Sequence, residues 1–154
     1  MDVCLVQKLD FRKISFVHNA MPDLSLEEVD TSLEIGGGKP PLEIPILVRA
    51  KSLDEAVRMS SSNRGVAFVA EHNGSVSICV DGAEKGVLPH SLDMEDAGDG
   101  IEAAKIIRVG GVPVIGERQL ADYGLYVQQL KIAMFLTDSK DINRLREAPI
   151  YITG

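Results

Sequence analysis

The chain has 154 residues, 45% of them hydrophobic and 25% charged, the make-up of one soluble globular domain that needs neither metal nor disulfide to fold. A net charge of −7, with no basic stripe interleaved with aromatics, excludes nucleic acid as a partner. It leaves room for a phosphorylated small molecule held locally by backbone amides and one or two arginines.

The start, "MDVCLVQKLD", has neither the basic lead nor the apolar run of a signal peptide. No window reaches ~20 uninterrupted apolar residues, so no membrane contact is expected. Cys4 and Cys79, without CxxC spacing, read as idle thiols of a reducing compartment, which places the chain in the cytoplasm.

In chain order, residues 13–18 alternate loosely and predict an extended segment that ends at Asn19-Ala20-Met21-Pro22, because the residue before a proline is pushed out of the helical basin. "VDTSLEI" (29–35) and "LEIPILVRA" (42–50) read as strands joined by the glycine-rich turn "GGGK", forming an N-terminal β-hairpin. Pro45 would remove a ladder hydrogen bond, so the second strand proper starts there. Ser52-Leu53-Asp54-Glu55 is a capping box that opens a helix, and Gly65 stops it. "GVAFVA" and "SVSICV" around Asn73-Gly74 predict a hairpin over 66–80.

Beyond it, 86–94 reads as a short strand and "EDAGDG" as a loop. Residues 100–110 have helical spacing, 111–116 form a buried-strand run, and Leu120, Tyr123, Val127, Leu130 and Met134 mark one face of a longer helix. A short helix over 140–147 and a strand "PIYITG" close the chain. The alternation of strand and helix predicts an α/β domain with a parallel sheet, residues 1–154 forming a single unit.

Three stretches carry a resemblance. "FVHNAMPDLSLEEVDTSLEIGGGKPPLEIPILV" resembles the amino-terminal segment of the type 2, FMN-dependent isopentenyl-diphosphate isomerases. In that family a "VHNALPE" motif precedes a DTS-containing hairpin and the first barrel strand. "LKIAMFLTDSKDINRLREAPIYITG" is similar to the family's closing helix and tail, and "DAGDGIEAAKIIRVGGVPVIGERQL" to its seventh helix, eighth strand and phosphate loop. The resemblance implies a flavoprotein (β/α)8 barrel that interconverts isopentenyl and dimethylallyl diphosphate in isoprenoid biosynthesis. Such a barrel takes ~250 residues and rarely fewer than ~200. The expected fold is therefore a contracted, partial (β/α) barrel-like parallel sheet made of units one, two, seven and eight.

The resemblance puts the flavin phosphate at Gly98 and Gly100, before the seventh helix, and at Gly116 and Arg118, after the eighth strand. It gives His18 and Asn19 a polar contact to flavin or substrate. The residues themselves allow other readings. Asp99 can simply cap the helix, with Asp96 and Asp99 opposing a phosphate. His18 and Asn19 can tie down an irregular turn before Pro22. The run Asp93, Glu95, Asp96, Asp99 is either a solvated loop or a carboxylate group for magnesium or acid–base work. Asn73-Gly74-Ser75 reads as a turn more readily than as a glycosylation acceptor, and Arg58 and Arg64 complement their helix dipole. His72 and His90 follow no metal-binding spacing, and no metal is predicted.

The family's glycine motif after the first strand is replaced here by "RAKSLDE", its basic N-terminal segment by Lys8 alone, and its central strands with the catalytic glutamine and magnesium-binding glutamate have no counterpart. The expectation is a non-catalytic, diverged relative that acts as a scaffold or subunit. The alternative is a flavin- or phosphate-binding isomerase-like enzyme acting on isoprenoid diphosphates. Four parallel strands leave open edges, so either copies of the chain (or another protein) associate, or the 66–80 hairpin covers one edge.

Overall fold

A computed structural model describes residues 9–34, 42–72, 74–89 and 93–153. Among the described residues the main sheet has six strands, in the order β5 (Ala83–Pro89), β4 (Ser75–Val80), β3 (Ala67–His72), β2 (Leu47–Arg49), β7 (Val112–Ile115) and β6 (Met94–Asp96). β2, β3, β6 and β7 are its strands of common direction. β2 pairs in parallel with both β3 and β7, and β6 pairs in parallel with β7. β4 and β5 extend the sheet antiparallel beyond β3. A second, two-stranded antiparallel sheet joins β1 (Ile14–Phe16) to β8 (Ile150–Ile152). The domain is mixed α/β and its main sheet is open.

Local chemistry accounts for most of the elements. Helix α1 (Leu53–Ser62) starts where the Ser52 hydroxyl accepts the Glu55 amide at 3.1 Å. This is the serine half of the expected capping box. Helix α2 (Gly100–Arg108) starts where Asp99 accepts the Glu102 amide at 2.7 Å. The 66–80 hairpin turns at Gly74, whose φ of +74° suits a residue without a Cβ. Leu47 and Val48 of β2 and Ala67, Phe68, Val69 and Ala70 of β3 are buried on both strand faces, in keeping with their near-continuous apolar runs.

Several boundaries differ from the sequence reading. The strand expected over 86–94 is two strands: β5, which pairs with β4, and β6, which starts at Met94 and takes Glu95 and Asp96 out of the expected loop. The strand after Pro45 begins at Leu47. Of the N-terminal hairpin, the described residues show one antiparallel bridge, Leu33 with Leu42, its two hydrogen bonds both 2.9 Å. The "GGGK" turn, Cys4, Lys8, Asn73 and His90 lie outside the described residues. A 3₁₀ turn over Glu117–Asp122 delays helix α3 to Tyr123–Leu136. The closing helix, α4, shortens to Ile142–Leu145. The closing strand pairs antiparallel with β1. The 66–80 hairpin does lie along the β3 edge, as one of the two expectations for the edges had it.

Two crossovers organise the molecule. β2-α1-β3 and β6-α2-β7 each link neighbouring parallel strands, and both step in the same direction along the sheet. Right-handed crossovers that step the same way put their helices on the same face. α3 packs on α2, and it does so tightly at Gly100, where an added Cβ would run into the Tyr126 carbonyl oxygen and lie 2.5 Å from Gln129 Cβ. The buried Tyr123 hydroxyl donates to the Ile46 carbonyl at 2.7 Å and ties α3 to the approach of β2. No helix among the described residues is long and apolar enough to cross a membrane.

Candidate functional site

In α/β folds of this kind, ligand sites form outside the carboxyl ends of the parallel strands. Here those ends line an open crevice of about 1050 Å³. β2 supplies Arg49 and leads into Lys51, β6 supplies Asp96, and the turn after β7 supplies Gly116, Glu117, Arg118 and Gln119. Arg49 spans the floor: its Nη1 lies 3.3 Å from Glu71 Oε1 and its Nε 3.4 Å from Asp96 Oδ1. The central cation is therefore already shared between two carboxylates. Lys51 and Arg118 are in no ion pair among the described residues.

Glu117 and Glu55 meet carboxyl to carboxyl at the crevice rim. The hydrogen bond from Glu55, then desolvation and the Glu55 charge, hold the Glu117 carboxyl above its ordinary range, while Lys51 and Arg58 pull the other way. Glu117 Oε1 is shut off from solvent without a partner, although the carboxyl group as a whole sits at the surface. Gln119 latches the turn: its Oε1 accepts the Gly116 amide at 2.9 Å, and its Nε2 donates to the Ala97 carbonyl at 3.1 Å and the Tyr126 hydroxyl at 3.2 Å.

The four residues expected at a phosphate fall into two places around this crevice. Gly116 and Arg118 line it directly. Gly98 and Gly100 sit at the start of α2, where unpaired first-turn amides would make an anion site. The protein's own side chains take those amides. Gly98 donates to Glu102 Oε1 at 2.7 Å, Gly100 to Gln129 Oε1 at 2.8 Å and Glu102 to Asp99 Oδ1 at 2.7 Å. With two carboxylates and an amide oxygen in place, this helix start does not fit an FMN phosphate. The absent side chain of Gly100 serves the contact between α2 and α3.

His18 and Asn19 are exposed and lie elsewhere. The Asn19 amide donates to the Leu136 carbonyl at 2.6 Å, at the far end of α3, and Asn19 Oδ1 accepts the Met21 amide at 3.0 Å. Because α3 starts beside the crevice and runs about 20 Å, the "VHNA" turn belongs to the opposite end of the domain. The geometry gives Asn19 the turn-stabilising part that the residues alone allowed. The acidic run also divides: Glu95 and Asp96 are in β6, and Asp99 caps α2. His72 Nε2 is 2.9 Å from Ser77 Oγ on the neighbouring strand. Among the described residues no three His, Cys, Asp or Glu side chains group as metal ligands.

Sequence reasoning passed over Arg49, Gln119 and the Glu55–Glu117 pair. A usable signal was present: "LVRAK" and "VIGERQ" are polar residues at the carboxyl ends of predicted parallel strands, where sites form. No protein-family model matches the chain, and no curated protein matches it.

Proposed function

We propose that the chain is a diverged, non-catalytic relative of the FMN-dependent isopentenyl-diphosphate isomerases, a contracted barrel that serves as a scaffold or subunit. The strand order β3-β2-β7-β6 supports the barrel origin. It is the order second, first, eighth, seventh that neighbouring staves of a (β/α)8 barrel have, with both crossovers stepping the same way. The observation that carries the loss of chemistry is the α2 start, where Asp99, Glu102 and Gln129 occupy the amides a flavin phosphate would need. The sparse cysteine content fits the cytoplasm. Leu125 and Ile132, exposed on the outer side of α3, are the surface for association with a second copy or another protein.

A second reading is an isomerase-like enzyme that binds a phosphorylated ligand or FMN in the crevice. The unpaired Lys51 and Arg118 favour it. One experiment separates the two: isomer exchange between the C5 diphosphates, measured with reduced FMN supplied. The first reading expects no exchange above background. Turnover that Arg118→Ala removes would establish the second.

A further inference from the structure

β8 is bonded to β1 on one side and, among the described residues, to no strand on the other. The phase of its hydrogen bonds is fixed at both ends. The Val17 amide donates to the Pro149 carbonyl at 3.1 Å, and the Thr153 amide donates to the Lys13 carbonyl at 2.6 Å. In an antiparallel pair the backbone groups of successive residues point alternately toward the neighbouring strand and away from it. Pro149, Tyr151 and Thr153 therefore turn their backbone to β1, and Ile150 and Ile152 turn their N–H and C=O groups to the outer edge.

That edge lacks the charges and prolines that guard end strands against pairing with another chain. The six-stranded sheet ends on β5, which carries Glu84, Lys85 and Pro89, and on β6, which carries Glu95 and Asp96. β8 reads Ile-Tyr-Ile and has no charge. Tyr151 is 62% and Ile152 68% exposed, and as neighbours in a strand they point to opposite faces. The strand thus offers apolar side chains on both faces and an open backbone edge between them.

The register favours a second copy as the occupant. The two outward residues flank Tyr151 symmetrically, so an antiparallel copy turned about a two-fold axis at Tyr151 brings Ile150 opposite the partner's Ile152. Such a pair exchanges both of its hydrogen bonds with no shift along the strand. Tyr151 then faces the partner's Tyr151 in the closer, non-hydrogen-bonded position, where aromatic pairs stabilise a sheet. No carboxylate meets a carboxylate within the paired strands, which matters when two chains of net charge −7 approach. Both copies use the same edge, so the pairing closes at a dimer and does not grow into a fibre.

We propose that two copies of the chain associate through β8, forming a continuous antiparallel sheet β1-β8-β8-β1 about a two-fold axis at Tyr151. The proposal does not rest on the flavin reading, and it uses residues other than Leu125 and Ile132 of α3.

The test is sedimentation equilibrium of the intact chain from about 1 µM to about 1 mM, the range in which small interfaces dissociate. The wild-type chain passes from monomer to dimer and no further. Ile152→Pro removes an N–H that points away from β1, so it spares the fold, as prolines on sheet edges do. It weakens the dimer about tenfold or more, because the lost hydrogen bond recurs on both sides of the axis. Tyr151→Lys, which sets like charges directly opposite each other, weakens it as well. Leu125→Glu leaves the dimer unchanged. A strict monomer across the whole range overturns the proposal. So does a dimer that both β8 variants retain, or one that Leu125→Glu dissolves while the β8 variants do not.

Discussion

At Gly100 the α2 backbone lies against α3, and Gly100→Ala is the most informative single perturbation. A Cβ there would meet the Tyr126 carbonyl oxygen, Gln129 Cβ at 2.5 Å and the Leu130 amide nitrogen at 3.0 Å. Two of these three are backbone atoms of α3, so relief requires α2 and α3 to move apart rather than one side chain to rotate. Overpacking of this kind costs about 3 kcal/mol, the upper end of the usual range. For a chain of this length that lowers the melting temperature by about 6–12 °C. The opposite sign is expected if the helices are not in contact, because Gly→Ala in a helix then stabilises by about 0.5–1 kcal/mol. Gly124→Ala, in the first turn of α3 with nothing within 4 Å of its added Cβ, is the internal control and should stabilise by that amount. Urea denaturation of both variants gives the answer. A Gly100→Ala protein as stable as the Gly124→Ala protein would refute the packing role.

Three other outcomes follow from buried or paired groups. Tyr123→Phe strips the Ile46 carbonyl of its 2.7 Å donor in the interior, so urea denaturation should show a loss of about 1–3 kcal/mol; an unchanged midpoint would mean that water replaces the hydroxyl. Glu117 titrates above its ordinary value near 4.5 because Glu55 shares a hydrogen bond with it. Its contribution to stability is complete below that pH and is lost as pH rises through the raised value. Glu117→Gln should therefore flatten this part of the pH–stability curve, and an unchanged curve would show that the carboxyls do not interact. Cys79 is fully buried, and burial and then Glu84 push its thiol up. In a Cys4→Ser background it should react with a thiol reagent only as fast as the chain opens, whereas rapid labelling in native buffer would place it at the surface.

What the sequence disclosed was local. Ser52 and Asp99 are helix caps whose effect is felt three residues away, and Gly74 fixes a turn by its own φ, so each could be read in place. β5 was only partly legible because "AEKGVLP" lacks clear alternation, and its extended state follows from pairing with β4. Arg49 gave no sign of its partners, because Asp96 lies 47 residues further on and reaches it only after β7 has come between β2 and β6. Gly100 misled for a related reason. A glycine beside a helix start reads as room for a phosphate, but the room is filled by α3, whose Gln129 arrives from 29 residues away.

The charge arrangement at the sheet mouth and at the α2 start bears on the flavin in one way. Amides engaged by Asp99, Glu102 and Gln129 cannot also hold a phosphate, and Arg49 is committed to Glu71 and Asp96. An FMN titration followed by flavin fluorescence, run alongside riboflavin, tests this most directly. The account predicts no saturable binding of either compound and no rise in melting temperature. Saturable FMN binding that exceeds riboflavin binding, and that Arg118→Ala reduces toward the riboflavin level, would contradict it.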